Sequence, residues 1–477
     1  MSPLRTEVGP RAPGLTTGAV AAPALRSLAV GAAAVLIAGA AGIALAADAR
    51  AGVGLVLLVI YVPLALTNLP LAIALWVPTT FLQALPAFNL GAEAAGALLA
   101  VAWLGTIRAS GTARAIADVI HRNRRTLIAL ALLLVWLSLS LLWARNPSRV
   151  LDDLWHWFAL AALLIVLSTT LRTRRAVQLV FAGFVVGALA SILYGVLFSN
   201  SLLEPGDASA RLQGAGGDPN ALAASLVAAV VLAGALAASS QRPWARVAPV
   251  AIIPVLVAGL VASQSRGGAI AAALTVLVAF VVFERGRVHV AAFTLLVVGA
   301  AMMWFSTTPG AWERLTTFDA GGGGRSTLWT GAWRAAKDHP VDGVGLNNFR
   351  DVAPDYARQP GQLEDVRILA EQPRFVHNTY LQLLAENGVV GLLLYLGFAL
   401  GCLRAMWVAA RRFKAIRSTS LETLARAALV ATISMLIAAF FLSAAIDARM
   451  WILFALGPAL LGIARRTPVA GSAPDVR

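Results

Sequence analysis

A chain of 477 residues that is 59% apolar and only 13% charged has more apolar surface than a soluble fold hides, where roughly 25% of residues are charged; lipid is its expected solvent. The formal charge of +15 does not make it a nucleic-acid binder, because the basic residues sit in short clusters between apolar runs, the distribution that orients a polytopic membrane protein. The single cysteine, Cys402, lies inside an apolar run and leaves no disulfide framework and no cysteine-built metal site.

Residues 1–26 carry Arg5, Arg11 and Arg26 and read as a cytoplasmic tail. The apolar run from Ser27 to Ala47 exceeds the ~7–15 residues of a signal-peptide core. It reads as an uncleaved first span, although ALAADA at 44–49 has the small residues of a cleavage site. About 20 apolar residues cross the ~30 Å hydrocarbon core. On that basis further spans are expected near 51–66, 69–87, 90–107, 126–144, 153–170, 176–197, 220–238, 247–263, 268–283, 290–306, 380–408, 427–446 and 450–464. Pro63, Pro70 and Pro78 interrupt the second and third, so 12 to 14 helices are expected. The chain is read as an all-α polytopic membrane protein. Its expected parts are a bundle over 27–306, one large loop over 307–378, C-terminal helices over 379–464 and a tail over 465–477.

The loops set the orientation. Basic clusters occur at 108–125, 172–175, 241–246, 284–287, 411–426 and 465–466. With the N-terminus inside, all six fall on the cytoplasmic face, as Lys and Arg in short loops require, and both termini are cytoplasmic. The large loop on the other face holds nine acidic and eight basic residues in 72 positions, a composition for water. Long loops of this kind are often functional, so the working surface is expected outside the cytoplasm.

Three outward positions hold residues with chemical potential. Arg266 lies in SQSRGG, a hairpin of a few residues between two spans. It reads either as an anion-binding guanidinium or as an interfacial anchor that snorkels. Gly267 and Gly268 beside it permit close backbone approach. Arg325 follows four glycines and opens a helical pattern in which Leu328, Trp329, Ala332, Trp333 and Ala336 form a stripe. This predicts an amphipathic helix on the membrane surface, with Arg325 at an N-terminus that favours anions; a flexible linker with a solvated Arg is the other reading. The stretch is not a P-loop, since GxxxxGK[ST] is absent. His377 stands where the large loop re-enters the membrane, third in FVHNTYLQLLAENGVVGLLLYL, which begins at Phe375. Imidazole is near-neutral at pH 7 and can accept a proton, as a sugar hydroxyl needs before it attacks; a lone interfacial His that only bonds headgroups is the plainer reading. Glu386, Asn387 and Gly388 predict a break, with a short helix over 379–387 and the span proper starting near Gly388.

Other chemistries find little support. Asp152 and Asp153 are a lone acidic pair, and the first outward loop offers only DAR at 48–50, without a paired acid for a metal. His339 with Asp338 and Asp342 fits no firm metal spacing, and no G-x-S-x-G elbow occurs. The spans hold almost no ionisable residues, Glu93 being the main exception, which argues against an ion-coupled transporter.

The stretch from His377 resembles the C-terminal signature of the O-antigen ligase and Wzy-type polymerase superfamily. GAGGDPNALAASL at 214–226, SQSRGGAI at 263–270 and GRSTLWTGAWRAAKDHPVDGVGLNNF at 324–349 are similar to further family segments in the same order. The resemblance covers about residues 214–400. It implies a GT-C-like fold in a bacterial inner membrane. It also implies metal-independent, inverting transfer of a glycan from undecaprenyl pyrophosphate, without a cofactor, to a glycan, lipid A-core or protein acceptor. Carried over by motif, Arg266 and Arg325 would grip the pyrophosphate and His377 would activate the acceptor hydroxyl. Asn378, Asn220 and Glu386 would be supporting residues. Some members of the superfamily have been assigned to solute uptake, so a transporter is the alternative.

Overall fold

The computed structural model describes residues 61–467, apart from 84, 110–111, 199–210, 285, most of 289–323, 361–362, 364–365 and 372–373. The expected span at 27–47 lies outside the described residues, and those at 51–66 and 290–306 lie largely outside them. The chain divides into two compact units, residues 1–67 and 68–477.

The second unit is helical throughout where described, with no strand. Its helices are α1 (Leu69–Trp76), α2 (Pro86–Ala109), α3 (Thr112–Arg122), α4 (Arg124–Leu139), α5 (Pro147–Thr170), α6 (Arg174–Phe198), α7 (Pro219–Ser239), α8 (Trp244–Ala262) and α9 (Arg266–Val282). After the large loop's own α10 (Arg325–Asp338), α11 (Phe349–Ala357) and α12 (Val366–Ala370) come α13 (Thr379–Ala415), α14 (Thr419–Ala438) and α15 (Ala448–Arg466). Among the described residues, eight helices are long and apolar enough to cross a membrane, and three shorter apolar helices accompany them. The chain is an all-α polytopic membrane protein.

Proline and capping residues explain most of the boundaries. The expected span at 69–87 is only a short α1 followed by a 3-10 turn over Val77–Phe81, because Pro78 brings no N–H to continue the helix. Helices α7, α9, α13 and α15 each start at a side-chain cap: Asp218, Ser265, Asn378 and Asp447. Each cap accepts backbone N–H groups that the first turn leaves unpaired.

The interior is built where α5, α13 and α15 meet. Trp157 of α5 meets Tyr395 of α13 and Trp451 of α15 edge-on, with ring centroids 6.3 and 5.9 Å apart. Phe398 and Phe454 close the cluster at 5.2 Å. Edge-to-face aromatic packing of this kind adds to area burial and fixes α13 against α15. At the end of the bundle away from Arg266 and His377, Lys414 Nζ pairs with Glu284 Oε2 at 2.7 Å, and the Arg426 side chain bonds Glu422 and the Val282 carbonyl.

The large loop has its own small core. Leu328, Ala332, Ala335, Val352, Ala353, Tyr356 and Leu369 are buried together. The buried face of α10 includes Leu328, Gly331, Ala332, Ala335 and Ala336, and Trp329 packs against the same cluster; of the predicted stripe only Trp333, 50% exposed, stands away from it. Gly331 and Ala335 let Leu369 approach closely, and a Cβ at Gly331 would come within 2.9 Å of it. The helix thus packs on protein along its small-residue face.

That loop is fastened to the bundle. Asn348 exchanges bonds with the Asn146 backbone, Oδ1 accepting at 2.6 Å and Nδ2 donating at 3.2 Å. Arg149 pairs with Asp351 at 2.7 Å and Arg145 with Asp355 at 2.6 Å. The segment 340–345 wraps the start of α13, where Val344 N–H meets the Ala385 carbonyl at 3.0 Å, Gly345 N–H the Glu386 carbonyl at 2.8 Å, and Val389 N–H the Pro340 carbonyl at 2.9 Å. Gly388 breaks α13 at φ 64°, ψ −173°. The helix is two pieces joined at a kink, with the break where the sequence places it.

Candidate functional site

The candidate residues gather at the capped starts of α7, α9 and α13 and at the start of α10. The α8–α9 hairpin is held from the side by Arg211, whose Nε donates to the Ser263 carbonyl at 3.0 Å. Ser265 Oγ donates to Asn220 Oδ1 at 2.7 Å and accepts from Gly268 N–H at 3.0 Å. Asn220 thus ties the start of α7 to the hairpin that presents Arg266. The two glycines have a packing reason: a Cβ at Gly267 would come within 2.7 Å of Phe441 Cβ, and one at Gly268 within 2.5 Å of Ala223 Cβ. Arg266 is half-buried at the first position of α9.

Arg325 is the first residue of α10, half-buried, behind Gly324 at φ 82°. Burial lowers its pKa, Asp218 raises it and Arg266 lowers it. Arg325 therefore feels both Arg266, 59 positions earlier, and the carboxylate that caps α7. His377 is half-buried in the left-handed region at φ 54°. Its pKa is lowered by burial and by Arg325, raised by Asp218, and lowered by Arg374. Arg266, Arg325 and His377 come from three separate parts of the sequence; Asp218 acts on Arg325 and His377, and Arg266 joins them through Arg325 and through the Ser265–Asn220 bond beside it.

The other two expected residues have different surroundings. The Asn378 side-chain Oδ1 is used in capping, accepting from Tyr380 and Leu381 N–H at 3.1 Å each. Glu386 is not among the charges acting on His377. It is buried some nine residues, roughly 13 Å, along the helix. There it accepts from both the Asn347 and Phe349 backbones and from Gln382 Nε2 at 3.3 Å. Its surroundings are those of an anchor for the loop segment that wraps the kink.

Residues beyond the expected set complete the cluster. Asp218 acts on Arg325, His377 and Arg449. Arg449 pairs with Asp447 at 2.5 Å and lies over the Phe81 ring at 5.4 Å. Arg211 was visible in sequence as an outward arginine, the same signal that drew attention to Arg266. Asp218 was visible as the acid before Pro219, a helix-start signal that does not reveal the company its charge keeps.

This arrangement suits a phosphate-bearing anion. Arg266, Arg325 and Arg449 lie at the starts of α9, α10 and α15, ends that favour anions, with the carboxylates Asp218 and Asp447 among them. The His377 imidazole, whose neutral form is favoured by burial and by Arg325, joins them. Among the described residues no three His, Cys, Asp or Glu side chains are grouped to hold a metal ion.

No curated protein matches the chain. Residues 250–396, which contain Arg266, Arg325 and His377, match the family described as O-antigen ligase, and this match supports assignment of the chain to the O-antigen ligase and Wzy-type family.

Proposed function

We propose that this protein is a membrane glycosyltransferase of the ligase or polymerase type. Its donor is a glycan on undecaprenyl pyrophosphate, and its acceptor is a hydroxyl presented on the outer face of the bacterial inner membrane. His377 takes the proton from that hydroxyl as the oxygen attacks the anomeric carbon. The bond from that carbon to the pyrophosphate oxygen breaks with inversion. The lipid pyrophosphate leaves with the bonding electron pair on its oxygen, and Arg266 and Arg325 stabilise the negative charge that builds there. Fixed cations aimed at charge that grows in the transition state are an effective catalytic device, and guanidinium groups match phosphate geometry. A good leaving group needs no acid catalyst and, in this reading, no metal ion.

The observation that supports this most is that Arg325 lies within electrostatic reach of both Arg266 and His377, with Asp218 acting on Arg325 and His377. It is tested by lipid-linked glycan transfer in membranes containing Arg266→Ala, Arg325→Ala or His377→Ala, with protein levels matched. Transfer is expected to fall at least 100-fold in each, about 2.7 kcal/mol of transition-state stabilisation. Wild-type activity in all three variants contradicts the reading.

A further inference from the structure

The turn that carries His377 is fastened to two other parts of the chain. Trp329, one helical turn beyond Arg325 on α10, donates from Nε1 to the Val376 carbonyl at 3.1 Å. The His377 N–H donates to Ser443 Oγ at 3.1 Å. Thr379 Oγ1 donates to the Leu442 carbonyl at 2.6 Å and accepts from Ala444 N–H at 2.9 Å. Thr379 is 1% exposed, so neither bond has water as a substitute.

Three features set this hydroxyl apart from an ordinary helix cap. Asn378 already supplies the cap of α13, so Thr379 is not needed for it. His377, two residues earlier, is held at φ 54°, a conformation that a residue with a Cβ adopts at a cost and keeps only where its surroundings over-determine it. The segment Leu442–Ala444 leads within three residues to Asp447, whose partner is Arg449. One buried hydroxyl therefore joins the imidazole's turn to the loop that presents Arg449, while Trp329 joins the same turn to the helix that starts at Arg325.

We infer that Thr379 is a positioning residue for the transfer reaction, bridging Leu442 and Ala444 so that the His377 imidazole keeps a fixed place among the guanidinium groups. The inference rests on His377 being the base in the proposed function. Without the bridge the turn relaxes from its left-handed conformation and the imidazole shifts. A small displacement of a base costs rate through lost orientation, while the guanidinium groups that hold the donor stay where they are.

Thr379→Val keeps the shape and removes both bonds; Thr379→Ser restores the hydroxyl. Per folded molecule, the Val variant is expected to lose at least tenfold in kcat with its donor KM within about twofold of wild type, and Ser to recover most of the loss. Site-resolved modification of His377 by diethyl pyrocarbonate, followed against pH, gives a readout that a purely structural role would not move: its midpoint is expected to shift in the Val variant and to return with Ser. A Val variant with wild-type kcat and an unmoved midpoint overturns the inference. If the Val variant does not accumulate, Ser443→Ala, which removes only the acceptor of the His377 N–H, is read in the same two assays, and wild-type values there overturn it equally. His377→Ala, run in parallel, separates the two levels. Transfer by His377→Ala defeats the proposed function itself. An inactive His377→Ala beside a fully active Thr379→Val defeats this inference alone.

Discussion

An imidazole that takes a proton from a sugar hydroxyl must be neutral before it acts, and the surroundings of His377 favour that form. Burial comes first among them, then Arg325; Asp218 opposes and Arg374 reinforces. The net direction is down from the ordinary value of 6.5, because the charged form loses solvation and meets like charge. With the pKa lowered, neutral imidazole still predominates at pH 6.5, and the protonated, inactive form accumulates only at lower pH. The acid limb of kcat/KM, which reports the free enzyme, is therefore expected below pH 6.5. Asp218→Asn removes the one neighbour that raises this pKa, so the limb moves further toward acid in that variant. A limb above pH 6.5, or a shift toward base in Asp218→Asn, contradicts the assignment of His377 as base.

At the scale of the element, the N-terminal end of α13 depends on its break. Gly388 has φ 64° and ψ −173°, a region open almost only to glycine, and a Cβ there would collide with the Val341 carbonyl. Gly343 makes the matching approach from the loop, where a Cβ would strike the Glu386 backbone. Gly388→Ala is expected to destabilise the protein by at least about 2 kcal/mol and to abolish transfer, because the turn holding His377 sits on the piece of helix that the kink aims. Gly397, on the same helix, has only Ala129 Cβ near its missing side chain, at 4.0 Å. Gly397→Ala is expected to be neutral or slightly stabilising, since Ala is the better helix former. Thermal unfolding of the two variants in detergent checks both; equal stability of the two contradicts the account of the kink.

The whole molecule shows what a sequence of this kind discloses. Most spans that fall within the described residues were legible because hydropathy and length decide them: α6, α7, α8 and α9 start and stop within three residues of the expected limits, whereas α5 starts six residues early and α14 lies eight residues before the expected 427–446. Glu386–Asn387–Gly388 before an apolar run marked the kink in α13. Less legible was the full buried face of α10: Gly331 and Ala335 belong to it beside the predicted stripe, and Trp333 does not. Least legible were pairings between distant charges. Nothing local connects Asp218 to Arg449 or Thr379 to Leu442; only the packing of α7, α13, α14 and α15 brings them together.

The central claim is a division of labour, in which Arg266 and Arg325 hold the lipid pyrophosphate and His377 drives the chemical step. The most direct test is the affinity of purified protein, in nanodiscs, for an undecaprenyl-pyrophosphate-linked glycan, measured for wild type and the three alanine variants. The account predicts affinity at least tenfold weaker, about 1.4 kcal/mol, for Arg266→Ala and Arg325→Ala, and unchanged for His377→Ala. Wild-type affinity in both arginine variants would contradict it.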